Sequence, residues 1–151
     1  MAESLGSLLQ VCSLLNKHGA RYLVIGGYAC ILHGLVRTTE DVDILIEESE
    51  ENYLKVRNAL AELPDHAAQE LVVEDFTDNV VVKVADAVEV DVSRRAWKVD
   101  YASAVGGAKR RTIEGVEVPY LNVPDLILSK QTYREKDVAD RVQLERLKSP
   151  E

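Results

Sequence analysis

The stretch from Tyr22 to Glu47, YLVIGGYACILHGLVRTTEDVDILIE, constrains this chain more than any other. Tyr22 to Ile25 reads as an apolar strand that breaks at Gly26-Gly27. A short apolar helix is predicted over residues 28–33, followed by a polar loop with Arg37, Thr38 and Thr39. A second strand runs from Val42 to Glu47, with Asp41 and Asp43 at its start. Alternation along a strand turns both carboxylates to one face, about 6–7 Å apart, and Val42 and Ile44 to the other. Two carboxylates so placed can share divalent cations. A Gly-Gly turn before a helix offers bare backbone N–H groups to a phosphate. The two features together point to metal-assisted chemistry on a nucleoside triphosphate.

The rest of the chain supplies elements to pack around this unit. Ser4 to His18 carries Leu5, Leu8, Leu9, Cys12 and Leu15 at helical spacing, with Lys17 and His18 in the last turn and Gly19 as the stop. Ser49 caps a helix predicted from Glu50 to about Leu63, ended by Pro64. Residues 65–78 fit no single pattern, and Leu71 to Val73 suits either a strand or a helix. Val80–Val84 and Val88–Val92 read as strands joined by a turn at Ala85-Asp86-Ala87. In the second of them the valines face one way and Glu89, Asp91 and Ser93 the other, a pattern that fits the wet face of an antiparallel strand. A helix is predicted from Trp97 to Val105, ended by Gly106-Gly107. A hairpin follows, Arg111–Ile113 with Val116–Pro119, turning at Glu114-Gly115. Asn122 or Val123 starts a helix with Pro124 near its first position, carrying Asp125, Leu126, Ile127 and Lys130. A last helix, Glu135 to Leu147, leads to the tail Ser149-Pro150-Glu151, expected to fray.

Length and composition set the outer bounds. The 151 residues suit one domain, 1–151, with the C-terminal helices of about 123–147 packed on its core. Hydrophobic residues at 46% and charged residues at 29% are ordinary for a soluble globular chain. Cys12 and Cys30 lie in apolar segments without metal-ligand spacing, which fits a reducing, cytoplasmic setting. The N-terminus has no signal-peptide pattern, and no apolar run nears the ~20 residues that span a bilayer, so no membrane partner is expected. A net charge of −8 excludes a broadly basic nucleic-acid surface, although Lys109-Arg110-Arg111 forms a local cationic triplet.

The pattern Gly26-Gly27, thirteen residues, then Asp41-Val42-Asp43 resembles the signature of the nucleotidyltransferase superfamily, with its polymerase-beta-like fold. The wider string GGYACILHGLVRTTEDVDILI is similar to a small bacterial branch of it, related to abortive-infection toxins and minimal nucleotidyltransferase antitoxins. The resemblance implies an α/β (α+β) fold: a short mixed sheet, helices mainly on one face, and the acids at one sheet edge beside Gly26-Gly27. It implies a Mg²⁺-dependent enzyme that moves a nucleoside monophosphate from a triphosphate to a hydroxyl and releases pyrophosphate. The acceptor would be a protein, a tRNA or a small molecule. The other readings are a toxin–antitoxin component that acts by binding a partner protein, and an inactive nucleotide-binding homologue.

The same resemblance assigns roles. Asp41 and Asp43 would ligate two Mg²⁺ ions, with Mn²⁺ as the alternative. Asp91 would be the third carboxylate, nearer the acceptor, with Glu89 as the fallback. Gly26 and Gly27 would meet the phosphates, and Thr38 or Thr39 would donate a hydroxyl. Lys130 would contact the triphosphate, with Asp137 and Asp140 pairing the nearby cations. Arg37 is balanced between a phosphate contact and a scaffold ion pair. His33, on an apolar helix, reads as a buried hydrogen-bonded residue, and His66 as a loop residue.

Overall fold

The computed structural model describes residues 5–132 and 134–148; Ser4 and the tail at 149–151 lie outside them. Helix α1 (Gly6–Lys17) leads into strand β1 (Tyr22–Ile25), helix α2 (Gly26–Leu32) and strand β2 (Val42–Ile46). Helices α3 (Glu50–Leu60) and α4 (Val73–Asp78) precede the hairpin of β3 (Val81–Ala85) and β4 (Glu89–Ser93). A small hairpin, β5 (Arg95–Ala96) and β6 (Val99–Asp100), runs into the short helix α5 (Tyr101–Ala104). Strands β7 (Lys109–Ile113) and β8 (Val116–Tyr120) come next, then helices α6 (Val123–Leu128) and α7 (Glu135–Lys148).

Six strands form one mixed sheet in the order β3-β4-β2-β1-β8-β7. Strand β2 runs antiparallel to β1 and parallel to β4. Burial explains the arrangement. All four residues of β1 are buried, as are Val42, Ile44, Leu45 and Ile46 of β2, so these strands sit inside the sheet. Strand β3 alternates exposed and buried residues, as a half-covered edge strand does. Helix α1 buries Leu8, Leu9, Val11, Cys12 and Leu15 and packs on α3, β8 and β2, while α6 packs on α7 and α2. Buried Asn52 ties the sheet to α3: its side chain bonds the backbone N–H and C=O of Arg21 and the carbonyl of Glu47. Among the described residues no helix is long and apolar enough to cross a membrane.

Several sequence expectations need correction. The apolar helix starts at Gly26, so Gly26-Gly27 forms its first turn rather than a separate one. Helix α3 ends at Leu60, ahead of Pro64. The ambiguous segment forms a 3₁₀ turn over residues 67–70 and then α4. The helix expected from Trp97 is a hairpin first, with Trp97 in its two-residue turn at φ +58°; helix begins only at Tyr101, where Asp100 caps it. Lys130 lies beyond the end of α6, in the turn before α7. The hairpin at Glu114-Gly115 has both turn residues at positive φ, +50° and +83°, the pattern that matches strand twist in a two-residue loop.

Candidate functional site

Asp43 is the second residue of β2 and Asp91 the third of β4; the parallel register sets them directly opposite each other. Both strands lie inside the sheet, so the acids meet on its face and not at its edge. Their apolar neighbours Val42, Ile44, Val90 and Val92 are buried on the other face. Asp43 is itself largely buried. Burial first, then the charge and hydrogen bonding of Asp91 and the charge of Asp41, raises its carboxyl to about 7, against a smaller opposing pull from Lys130. Asp41 precedes β2 and lines the same cleft.

The cleft has a volume of about 640 Å³, and Gly26, Gly27, Arg37, Thr38, Thr39 and Lys130 also line it. The two glycines are required by close approach. Gly26 has φ +69°, and a Cβ there would lie 2.1 Å from Asp43 Oδ2. A Cβ on Gly27 would lie 2.5 Å from Thr39 Oγ1. The helix start is thus pressed against an acid on one side and the threonine loop on the other.

A second charged cluster closes the C-terminal side. Buried Lys130 Nζ sits 3.0 Å from buried Asp140 and 3.6 Å from half-buried Asp137. Arg37 also pairs with Asp140, and its Nε donates to the Thr38 carbonyl at 3.1 Å. Arg37 is therefore engaged in a scaffold ion pair while it lines the cleft. Arg141 ties the Lys130 turn to α7 by donating to the carbonyls of Lys130 and Thr132. His33 donates to the Leu121 carbonyl at 2.7 Å and packs edge-on against Tyr120, a structural role. His66 sits in the left-handed region at φ +54° and bonds the Ala61 carbonyl.

Lys83, beside the cleft, and several of the residues that line it were not singled out from the sequence. Lys83 stands opposite Asp91 across the β3–β4 hairpin, its ammonium 3.1 Å from Asp91 and within 4 Å of Asp41 and Glu89. It is the one basic residue between Val80 and Ser93, which was the available signal. Ser93, Arg95 and Trp97 extend the wall past Asp91. Glu89 points to the same face as Asp91 but is more exposed and reaches Lys83 rather than Asp43.

The donors suit a hard divalent cation. They are carboxylate oxygens, the kind magnesium takes. Asp91 Oδ1 is buried and accepts no well-aligned hydrogen bond, although the Lys83 ammonium is near. Asp43 Oδ2 occupies the space that Gly26 leaves open. Among the described residues no three acids, histidines or cysteines are gathered tightly enough to hold an ion.

No protein-family model and no curated protein matches this chain. Solved structures do. A candidate nucleotidyltransferase of Thermotoga maritima superposes with a TM-score of 0.56 at 15% identity, covering 98% of this chain and 88% of its own. An antigenic nucleotidyltransferase-like protein of Paracoccidioides brasiliensis gives 0.59 at 20% identity, covering 96% and 77%. The chain has the nucleotidyltransferase fold.

Proposed function

We propose that this chain is a Mg²⁺-dependent nucleotidyltransferase that moves a nucleoside monophosphate from a triphosphate to a hydroxyl acceptor. The observation that carries the reading is the in-register pair of Asp43 and Asp91, set against the Gly26-Gly27 helix start at the floor of one cleft. The shared fold supports the chemistry in general. The small bacterial branch rests on the string from Gly26 to Ile46 alone.

Asp41, Asp43 and Asp91 would hold the divalent metal, which when bound supplies positive charge to the reacting phosphate and oxygens. Gly26 and Gly27 would bring backbone N–H groups to the triphosphate, and a side chain on either would strike Asp43 or Thr39. Thr38 and Thr39 offer hydroxyls beside them. Lys130 and Arg37 give the cleft positive charge fixed by Asp137 and Asp140. In the reaction a bond forms between the acceptor oxygen and the α-phosphorus as the bond to the β-phosphate bridging oxygen breaks. Asp91 takes the hydroxyl proton, and pyrophosphate leaves on the glycine side.

The test is incubation with each nucleoside triphosphate labelled at the α-phosphate, Mg²⁺ and cell lysate, reading which molecule becomes labelled. Protein, RNA and small-molecule acceptors separate by size and by protease or nuclease digestion. Asp41→Asn and Asp43→Asn should each reduce labelling by roughly 100-fold or more. Undiminished labelling by both variants overturns the reading.

A further inference from the structure

We propose that the ammonium of Lys83 takes the place of one of the two metal ions expected from the sequence, so that the cleft holds a single divalent ion. This deepens the nucleotidyltransferase reading and rests on it. Lys83 Nζ lies 3.1 Å from Asp91 Oδ1, 3.8 Å from Glu89 Oε1 and 3.9 Å from Asp41 Oδ2. It thus reaches both Asp41 and Asp91, and the oxygen nearest to it is the buried one that lacks a well-aligned hydrogen bond. By the resemblance in the sequence, Asp91 is the acid that would hold the ion nearer the acceptor.

The contact is set by the backbone. Lys83 and Asp91 are direct cross-strand partners, with side chains on the same face of the sheet. Half of the lysine side chain is exposed, so its ammonium is delivered from solvent by a flexible stem and costs little desolvation. A pair of ions in such a site would lie about 3.5–4 Å apart. A tethered ammonium already on Asp91 leaves no room for a second ion there without two like charges in contact. Asp43 and Asp41 would hold the remaining ion, while Lys83 steadies the acceptor oxygen as its proton passes to Asp91.

Electron paramagnetic resonance with Mn²⁺ and a triphosphate whose α,β-bridge is a methylene counts the ions directly. The full chain should bind one Mn²⁺ with the spectrum of an isolated ion. Lys83→Met should bind two, with the broadening of a coupled pair, and Lys83→Arg should stay at one. Circular dichroism checks that each variant is folded. A coupled pair in the unaltered chain, or a single ion in Lys83→Met, overturns the proposal. Retention of no Mn²⁺ by either chain is a different result, which overturns the metal-dependent reading of the cleft itself.

Discussion

Asp43 and Asp91 face each other across neighbouring parallel strands, and the charge of Asp91 makes it harder for Asp43 to ionise. Folding sets this geometry, so the folded chain carries the repulsion until a cation relieves it. Asp43 keeps its proton up to about pH 7 in the folded state, against 3.8 for an ordinary aspartate. Between these values the folded chain binds more protons than the unfolded one, so stability falls as pH rises through that window. Without metal, the thermal midpoint should drop from pH 5 to pH 8, by an amount equivalent to on the order of 1–3 kcal/mol. The gain in midpoint on adding Mg²⁺ should be small at pH 5 and larger at pH 8, and Asp43→Asn should flatten the metal-free profile. Differential scanning calorimetry across that range checks both.

Gly26 and Gly19 share φ +69°, which makes them a matched pair for substitution. A Cβ on Gly19 meets nothing within 4 Å, whereas one on Gly26 meets the Asp43 carboxylate at 2.1 Å. Gly19→Ala should cost only backbone strain, roughly 1 kcal/mol, and leave transfer unchanged. Gly26→Ala should cost about 1–3 kcal/mol and abolish transfer, because Asp43 must move. Urea melts and the labelling assay separate the two effects.

Asp140 is the shared partner of Arg37 and Lys130, and all three charges are largely withdrawn from water. Asp140→Ala leaves two cations without their common counter-charge. The expected loss is about 3–5 kcal/mol in a urea melt with unchanged slope. By contrast Lys17→Ala, which removes one exposed partner of Glu62, should leave the urea midpoint nearly unchanged.

Trp97 is the one tryptophan of the chain, stands 54% exposed and lines the cleft. Its emission therefore reports on occupancy. Adding a nucleoside triphosphate with Mg²⁺ should change its intensity in a saturable way, and Asp43→Asn should weaken the response at least tenfold in half-saturating concentration. An emission insensitive to any triphosphate would place Trp97 away from the ligand.

Much of this layout was legible in the residue pattern. A short apolar run located β1, and alternation or valine-rich runs located β2, β3 and β4 to within a residue or so, because each buries one or both faces. Ser49 and Asn122 were legible as caps, and each accepts the expected backbone hydrogen bond. The region after β4 was not legible. Trp97 adopts a positive φ that bulky residues avoid, so local preference pointed away from the turn it makes. A lone lysine within a strand carries no site pattern of its own, so nothing local singles out Lys83. Its meaning comes from hairpin register: the loop lies one residue later than the turn residues suggested, which sets Lys83 against Asp91. The acids stand on interior strands rather than at a sheet edge because β4 adds parallel to β2, a long-range pairing that no local pattern encodes.

The Asp43–Asp91 pair is placed for attack at the α-phosphorus, and the position of a label decides whether attack falls there. One triphosphate is supplied with its label at the α-phosphate in one reaction and at the γ-phosphate in another. The α-label should stay on an acceptor, the γ-label should leave in pyrophosphate, and Asp91→Asn should stop both. Transfer of the γ-label to the acceptor, or α-label transfer undiminished in Asp91→Asn, rules out that role for the pair.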